Sequence, residues 1–448
     1  MNTPSKKLNI AVAGSGGREH AILRKLRQSP RAGTIYALPG NGGIARDGIP
    51  CVNISPANTP AFTAWCLDNA VDFVVVTPDN PLAAGLVDAL SEKGILAFGP
   101  VREAAKLEWS KAYAKNMMRQ NNIPTADYAV FTGCGAALEY AKSAPYPLVV
   151  KADGLALGKG VVICGTYETA EDAIRGAMEG GRFGESGKTI VLEEYLCGPE
   201  VSVLSFCDGK TIVPMVSSMD HKRELDGDLG DNTGGMGAIA PNPFYTEEIA
   251  RECYETIFLP TLRMTQKAGT PFKGCLYFGL MLTSDGPKVI EYNCRFGDPE
   301  TQAVLPLLES DLLEIMLACA EGRLTPDMVK FRDGACACLV LASNGYPRKF
   351  DVGFTISGLE DAEKLLRPSN GAFSGEVYCA GVRYGGRVPA AISGKLYTSG
   401  GRVLGISAAA ADLQTALSAC YAAAGNIKWR GIYYRRDIGQ CAFDKKTP

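Results

Sequence analysis

The chain has 448 residues, and its 46 basic and 48 acidic side chains leave a net charge of −2. At about 150 residues per domain, this length predicts roughly three domains. The balanced charge argues against a nucleic-acid partner, and we recognise neither an apolar run of about 18 residues nor a signal peptide. We therefore expect a soluble, cytoplasmic protein without a membrane partner.

The 15 cysteines and two histidines form no recognisable metal site. The closest cysteine pair is Cys336 and Cys338, no C-x-x-C motif is present, and His20 and His221 lie far apart in the chain. Zinc sites of the common types need closely spaced ligands. We interpret the cysteines as small buried side chains in a reducing compartment.

The first hundred residues predict a parallel sheet. Short apolar runs at 8–14, 34–40, 71–78 and 95–100 alternate with helix-like segments such as 18–28. This alternation is typical of βαβ units, whose ligands bind at the carboxyl ends of the strands. We therefore expect the Gly and Pro turns that end these strands to line a substrate site.

The later elements fall into three groups. A helix is predicted over 104–122, followed by a small α+β module with strands at 146–154, 160–165 and 188–196 and a helix at 168–179. The next group carries strands in the segments EVSVLSF, GLMLTS and PKVIEYN. The last begins near 331 with the strand CACLVLAS and predicts a further strand, GRVLGISA, and a long alanine-rich helix over 408–424.

The segment AGSGGREHA (13–21) follows a predicted strand and invites comparison with a dinucleotide-binding turn. Gly14 and Gly16 fit the pattern G-x-G-x-x-G, but its third position is Glu19, and the acidic residue expected about 20 positions later is missing. We therefore favour an anion held by the backbone amides of Gly16 and Gly17 at a helix N-terminus over NAD. A tight turn without a ligand is the alternative.

Two further glycine-rich segments resemble phosphate-binding loops. The segment 181–189 has Arg182 where a P-loop needs glycine and precedes a predicted strand, so we interpret it as a plain loop. The segment KADGLALGKG (151–160) lies between two predicted strands and carries two lysines, as a loop that folds over a polyphosphate would. From its spacing alone, a flexible surface turn is an equally good interpretation.

The segment PKVIEYNCRFGDPETQ (287–302) is the strongest candidate for chemistry. Alternate residues of a strand share a face, so Glu291 and Asn293 project together, about 6.5 Å apart, whereas Tyr292 points the other way. Two oxygen donors at this separation suit Mg²⁺ bridging phosphates. A solvated strand face is the alternative.

Together these motifs resemble those of the ATP-grasp ligases, and specifically the phosphoribosylamine–glycine ligase family. The resemblance runs from residue 8 almost to the C-terminus through GSGGREHA, PGNGG, EWSKAYAK, KADGLALGKG, EEYL, DHKRELDGDLGDNTGGMGA, EYNCRFGDPETQ and W-x-G-x-Y-Y-R-x-D-I-G. The combination of DHKR, NTGGMGA and NCRFGDPETQ is highly specific within the superfamily.

This resemblance implies an α/β ATP-grasp fold with a Rossmann-like N-terminal domain, a small α+β lid over ATP and a C-terminal α+β domain. We place the N-terminal parallel-sheet domain at 1–105, the central ATP-grasp domain at 106–125 and 197–330, the lid module at 126–196 and the C-terminal domain at 331–448. The family implies ATP with Mg²⁺ or Mn²⁺ as cofactors, and we expect a monomer or weak homodimer.

The family's reaction joins glycine to 5-phosphoribosylamine in purine biosynthesis. The glycine carboxylate takes the γ-phosphoryl group of ATP, and the amine then attacks the glycyl phosphate to give glycinamide ribonucleotide. A carboxylate is a poor electrophile, whereas an acyl phosphate contains a leaving group. Catalysis is therefore expected to rest mainly on positioning and charge neutralisation.

By matched position, the resemblance also implies roles for individual residues. For ATP these are Lys111, Lys151, Gly154, Gly158, Lys159, Gly160, Glu193, Glu194, Leu196 and Glu200, with the Glu193 carbonyl and Leu196 amide at the adenine and Glu200 at the ribose. For the substrates they are Gly16, Gly17, Arg18, Gly40, Asn41, Gly42, Asp79, Asp220, Lys222 and Arg295. Lys151, Asp220 and Arg295 would be catalytic, and Glu291 and Asn293 would bind the metal.

The sequence departs from the family pattern at Thr77, Asp79, Trp109 and Asp231, and GLMLTS lacks the carboxylate that many ATP-grasp enzymes carry on this strand. Three alternative functions remain at this point. A biotin carboxylase-type enzyme would lack the DHKR and NCRFGDPETQ segments, and an NAD-dependent Rossmann oxidoreductase needs a third glycine and a ribose-binding acid. A catalytically silent ATP-binding regulator would not need the lysines and the Glu291–Asn293 pair.

Overall fold

The computed structural model describes residues 6–155, 160–385 and 394–444. Near the N-terminus, four parallel strands pair in the spatial order second, first, third, fourth. Their bounds are Leu8–Gly14, Ala32–Pro39, Phe73–Val76 and Leu96–Phe98. The connecting helices are Gly17–Leu26, Gly42–Arg46, Thr59–Asp68, Asp79–Ala83 and Leu86–Glu92. The predicted parallel sheet is confirmed, and its third strand is buried throughout, as expected for a sheet covered on both faces.

A second sheet lies in the segment predicted to form the lid module and is antiparallel. In spatial order its strands are Tyr128–Phe131, Ile190–Glu194, Leu148–Ala152 and Val161–Cys164. The helices Cys134–Ser143 and Tyr167–Met178 pack against each other beside it, and alanines on both helices contribute to a separate apolar core. The predicted small α+β module is therefore present.

The central antiparallel sheet has the spatial order Ile212–Pro214, Glu200–Asp208, Lys273–Thr283 and Gly286–Asn293. Its region contains the helices Lys106–Trp109, Lys111–Gln120, Glu247–Cys253, Leu259–Lys267, Glu300–Val304 and Leu312–Glu321. The prediction of one continuous helix over 104–122 is wrong. Ser110 is extended and its hydroxyl accepts a 3.2 Å hydrogen bond from the Tyr113 amide, so a new helix begins after it.

A further sheet contains most of the C-terminal strands. Its members are Met219–Asp220, Gly237–Ala240, Ala335–Ser343, Phe373–Cys379, Arg402–Ala410 and Ile432–Tyr433. The helices of this region are Leu359–Leu365 and Leu413–Ala424. The prediction of a helix from 408 is wrong, because the preceding strand continues to Ala410 and Asp412 caps the helix through the Thr415 amide at 2.8 Å. Two small hairpins pair Arg223–Leu225 with Leu229–Asn232 and Val382–Tyr384 with Leu396–Thr398.

The apolar cores show how these parts are joined. One cluster combines residues of the N-terminal sheet, the central sheet and the C-terminal sheet, including Ile10, Phe206 and Cys336. The core of the lid module is separate. Since two strands before residue 241 pair within the C-terminal sheet, the domain boundaries given above stay predictions. Within the described residues, no helix combines the length and apolarity needed to cross a membrane.

Candidate active site

A cleft of about 1250 Å³ receives side chains from all four parts of the chain. Fifteen predicted site residues line it: Arg18, Asp79, Lys111, Lys151, Gly154, Gly160, Glu193, Glu194, Leu196, Glu200, Asp220, Lys222, Glu291, Asn293 and Arg295. Five others that the structure describes lie outside this lining: Gly16, Gly17, Gly40, Asn41 and Gly42. The predicted Gly158 and Lys159 fall outside the described residues. Residues far apart in sequence therefore converge on one site.

A buried carboxylate shared by two lysines forms one wall of the cleft. The Glu193 Oε2 atom lies 2.8 Å from Lys115 Nζ and 2.9 Å from Lys151 Nζ. Burial opposes the charge of Glu193, but the two ammonium groups outweigh it and lower the pKa of this carboxyl. Burial also lowers the pKa of Lys115 to about 8, with Glu193 acting in the opposite direction. The site therefore holds its cations in a fixed, largely dry geometry.

Sequence reasoning missed Lys115. Lys115 lies one turn after Lys111 on the same helix, so the two lysines share a helix face. This four-residue spacing could have indicated Lys115 as a further site residue. The strand register explains the contact between Lys151 and Glu193. Val149 lies opposite Glu193, and Lys151, two residues after Val149, therefore projects from the same face of the sheet as Glu193. The contact between helix and sheet is long-range and has no local sequence pattern.

Lys111 links the glycine-rich segment to the central part of the chain. Its Nζ donates a 2.9 Å hydrogen bond to the Gly154 carbonyl. The preceding Asp153 accepts a 3.0 Å bond from the Ala112 amide and a 3.2 Å bond from the Ser110 hydroxyl. Burial lowers the pKa of Lys111, while nearby carboxylates raise it. The segment that begins the predicted phosphate loop is therefore anchored to a helix start.

The Glu291 and Asn293 side chains share a face of their strand, as predicted. Asn293 Nδ2 donates a 3.5 Å hydrogen bond to Glu291 Oε1. Tyr292 is buried on the opposite face, where its hydroxyl lies 2.9 Å from the Thr261 hydroxyl. Burial opposes the ionisation of Glu291, but Lys222, Lys151 and Lys111 lower its pKa. Glu291 is therefore an anion in the cleft at neutral pH.

These two residues fit a cation that brings further oxygen ligands with it. Glu291 offers carboxylate oxygens, and the Asn293 amide oxygen currently accepts a 2.7 Å bond from Arg295. The neighbouring strand has Gly279 opposite Glu291 and adds no carboxylate there. Among the residues described, no cluster of three or more His, Cys, Asp or Glu side chains could hold a metal. The donor set suits Mg²⁺ bound jointly with phosphate oxygens and water.

Arg295 is oriented by a second carboxylate that sequence reasoning missed. Its Nε lies 3.2 Å from Glu108 Oε1, and Glu108 Oε2 accepts a 2.7 Å bond from the Cys294 amide. Burial raises the pKa of Glu108, and Arg295 acts against that shift. The EWSK segment contained Glu108, but nothing in the sequence indicated its distant partner.

Asp220 and Lys222 form a further wall of the cleft. Burial and nearby Glu300 raise the pKa of the Asp220 carboxyl well above its usual value. Its Oδ1 atom is buried without a hydrogen-bond partner among the described residues. Lys222 pairs at 2.8 Å with Glu200, the residue predicted to contact ribose. This wall therefore combines a buried, unpaired carboxyl oxygen with an ion pair.

The C-terminal segment holds the hairpin that borders this wall. Arg435 is fully buried and lies 2.8 Å from both Asp228 and Asp437. The Gly439 amide donates a 3.0 Å bond to Nε2 of His221. Burial lowers the pKa of His221 to about 4, so the ring is neutral and can accept this bond. The motif that contains Arg435 belongs to the family resemblance, but no role was predicted for this arginine.

One N-terminal turn differs from prediction at Gly16, whereas the substrate contacts of Gly40, Asn41 and Gly42 stay predictions. The Gly16 amide donates to the Glu19 carboxylate, so this donor is satisfied within the chain, contrary to the expectation that it holds an external anion. The Asn41 amide oxygen accepts from Gly43 and Ile44, and its Nδ2 donates to the carbonyls of two other residues at 2.8 and 2.7 Å. The Asn41 side chain is thus saturated and acts as a helix cap, which leaves the backbone of this turn for the predicted substrate contact.

The four residues that depart from the family pattern make local contacts or border the cleft. The Thr77 hydroxyl lies 2.7 Å from both the Ala13 carbonyl oxygen and Glu19 Oε1. Trp109 Nε1 donates a 3.3 Å bond to the Arg102 carbonyl, and Asp231 pairs with Arg348 at 2.9 Å. Asp79 borders the cleft at the start of its helix. None of these substitutions interrupts the convergence of the site residues.

Three family models of phosphoribosylglycinamide synthetase match the chain. The N domain matches residues 8–108, the ATP-grasp (A) domain matches 109–301, and the C domain matches 336–441. Together they follow the chain from its first sheet to the segment that contains Arg435.

Full-length relatives agree with these matches. The phosphoribosylamine–glycine ligase of Clostridium acetobutylicum is 44% identical over 433 residues, covering 97% of this chain and 100% of the relative. The trifunctional purine biosynthetic protein adenosine-3 of Gallus gallus is 45% identical over 96% of this chain, which corresponds to 42% of that relative.

Solved structures show the same fold. The phosphoribosylamine–glycine ligase of Thermotoga maritima superposes with a TM-score of 0.81 at 32% identity, covering 96% of this chain and 100% of that one. The biotin carboxylase of Campylobacter jejuni, in complex with β,γ-ATP, has a TM-score of 0.71 at 17% identity, covering 95% and 92%. At that identity the second likeness concerns the fold alone.

Proposed function

This chain belongs to the phosphoribosylglycinamide synthetase family, and we propose that it is the ATP-dependent ligase that joins glycine to 5-phosphoribosylamine. The observation that carries the proposal is the convergence of Lys111, Lys151 and Glu291 on one cleft. Two cations and one anionic ligand are the groups needed to bind a metal–triphosphate and a carboxylate together. The product is glycinamide ribonucleotide, an intermediate of purine biosynthesis.

The first step transfers a phosphoryl group. A glycine carboxylate oxygen forms a bond to the γ-phosphorus as the bond to the β–γ bridging oxygen breaks, and ADP leaves. Lys111 and Lys151 neutralise charge on the phosphates, and their rigid anchoring means that little reorganisation is needed during transfer. Glu291 and Asn293 would hold Mg²⁺ or Mn²⁺, which when bound stabilises the charge of the phosphates.

The second step forms the amide. The amine of phosphoribosylamine attacks the carbonyl carbon of glycyl phosphate, phosphate leaves, and the amine loses a proton. Asp220 lines the cleft and is the carboxyl group that we propose to accept that proton. Arg295 is suited to stabilise the negative charge of the departing phosphate, since Glu108 fixes its orientation.

The substrates have separate places in this scheme. The Glu193 carbonyl and the Leu196 amide would contact adenine, and Glu200 would contact the ribose, with the segment beginning at Gly154 next to the phosphates. Arg18 and Asp79, on the N-terminal side of the cleft, would contact the phosphoribosyl group. We further propose that the protein acts in the cytoplasm as a monomer or weak homodimer.

The test is the substrate requirement for ADP release. ADP is expected only when ATP, glycine and phosphoribosylamine are all present with Mg²⁺ or Mn²⁺. Biotin, bicarbonate and NAD are expected to give no stimulation. ADP release that depends on bicarbonate and biotin, or that ignores glycine, would contradict the proposed reaction.

A further inference from the structure

Glu19 occupies the centre of the N-terminal glycine turn. Its side chain is buried, and its carboxylate accepts hydrogen bonds from the Gly16 amide and from Arg18 Nε at 2.6 Å. The Thr77 hydroxyl lies 2.7 Å from Glu19 Oε1, and its single hydrogen is shared between this oxygen and the Ala13 carbonyl. The turn therefore already contains an anion, supplied by the chain itself.

The first two glycines of the turn make room for this carboxylate. A Cβ atom at Gly14, where φ is +123°, would lie 2.7 Å from Glu19 Cγ, and a Cβ at Gly16 would lie 2.7 Å from Glu19 Oε2. In a dinucleotide-binding turn, glycines instead allow a pyrophosphate to approach the backbone. Here the same residue type admits an internal glutamate, which would repel a second anion at the Gly16 amide.

Arg18 is the cation that this arrangement orients toward the cleft. Its Nε donates to Glu19, and its Nη1 donates a 2.9 Å bond to the Phe296 carbonyl. Its side chain is only 13% exposed, yet it lines the cleft. Nη2 has no hydrogen-bond partner in the part of the chain that the structure describes. The guanidinium is therefore fixed at two nitrogens and offers the third.

We propose that Glu19 is a positioning residue that holds Arg18 ready to bind the anionic phosphoribosyl substrate. This inference rests on the proposed function, which places the phosphoribosyl group at Arg18. Without the Glu19 contact, Arg18 gains rotamer freedom that substrate binding must then remove. Ordering one long side chain at a binding site weakens affinity by about 2- to 10-fold.

The decisive experiment is a double-mutant cycle. Glu19→Gln keeps the size of the side chain, but its amide nitrogen cannot accept the bonds that Glu19 now accepts. Arg18→Lys keeps a charge but cannot reach both Glu19 and Phe296. The readouts are the KM values for phosphoribosylamine, glycine and ATP, the Kd for ribose 5-phosphate as a stable probe, and the Tm of each variant.

We expect Glu19→Gln to raise the phosphoribosylamine KM and the ribose 5-phosphate Kd by about 2- to 10-fold. The ATP KM should stay unchanged, and the double variant should resemble Arg18→Lys alone, because Glu19 acts through Arg18. Additive effects, or equal rises in all three KM values with a lower Tm, would overturn the positioning role. A native phosphoribosylamine KM in Arg18→Lys would instead contradict the substrate assignment in the proposed function.

Thr77 provides the same test if Glu19→Gln does not fold. Thr77→Val removes the hydroxyl that contacts Glu19 Oε1, whereas Thr77→Ser keeps it. The valine variant should raise the phosphoribosylamine KM without changing the ATP KM, and the serine variant should resemble the unmodified protein. Equal phosphoribosylamine KM values in the two variants would refute the positioning role.

Discussion

Replacing Glu291 by glutamine tests the proposed metal site most directly. The substitution keeps the shape and hydrogen-bonding capacity of the side chain but removes its charge. Three lysines already lower the pKa of Glu291, so the carboxylate is ionised throughout the neutral range. Asn293 is neutral, and Gly279 lies opposite, so Glu291 supplies the negative charge of this donor pair.

The size of the effect follows from that geometry. In Glu291→Gln the metal would meet a neutral donor pair close to three ammonium groups. Metal ions contribute several kcal/mol to phosphoryl-transfer transition states. A loss of about 3 to 4 kcal/mol corresponds to a fall in kcat/KM of about 10²- to 10³-fold. The fall should become smaller at high Mg²⁺, because mass action restores occupancy of a weakened site.

The assay is kcat/KM for ADP release as a function of Mg²⁺ concentration. Tyr292→Phe is the matched control, because Tyr292 lies on the opposite face and its hydroxyl contacts Thr261. It should lower the free energy of unfolding by about 1 kcal/mol and leave the Mg²⁺ midpoint unchanged. A fully active Glu291→Gln variant with a normal Mg²⁺ midpoint would falsify the metal site.

Four further predictions concern other parts of the molecule. Lys115→Met leaves Glu193 with one cation and should raise the ATP KM and lower the Tm; an unchanged ATP KM would show that the shared ion pair does not organise the nucleotide site. Asn41→Ala removes a saturated helix cap, so it should cost about 1 to 2 kcal/mol in urea unfolding and raise the phosphoribosylamine KM more than the ATP KM; equal rises with unchanged stability would contradict the assignment. A non-hydrolysable ATP analogue with Mg²⁺ should slow hydrogen exchange at 153–155 and at its continuation near 160, and unchanged exchange despite binding would refute closure over the phosphates. Burial raises the pKa of the Asp437 carboxyl, but hydrogen bonds from Arg435 and a backbone amide outweigh it and lower this pKa to about 2. The ionised carboxylate should therefore stabilise the fold fully above about pH 4, and this stabilisation should be lost as the pH falls through 2. Asp437→Asn should flatten that part of the curve of unfolding free energy against pH.

Regular local patterns predicted the parallel sheet and the shared face of Glu291 and Asn293, whereas most other site residues were implied only by the family resemblance. The two-residue period of a strand placed Glu291 and Asn293 on one face and Tyr292 on the other. Alternating strands and helices indicated the parallel sheet. The break at Ser110 was missed because Ala and Lys on both sides favour a helix, and only the cap at Ser110 separates the two segments.

The site residues that were not predicted have partners in distant segments of the chain. Glu108 meets Arg295, and Lys115 meets Glu193, through packing that no short motif encodes. Glu19 is the instructive case. It was recognised as a departure from the dinucleotide pattern, but its side chain turns back into the turn that it interrupts, and nothing in the spacing indicated that direction.

The contact between Arg435 and the hairpin around Asp228 has a consequence for biosynthesis of the protein. The ribosome releases the hairpin long before Arg435 is translated, and domains commonly fold in the order of their synthesis. Until Arg435 and Gly439 emerge, Asp228 and His221 lack partners that they have in the complete fold. The nascent chain should therefore form its parallel sheet early and complete this wall of the cleft only after the segment that contains Arg435 and Gly439 has emerged.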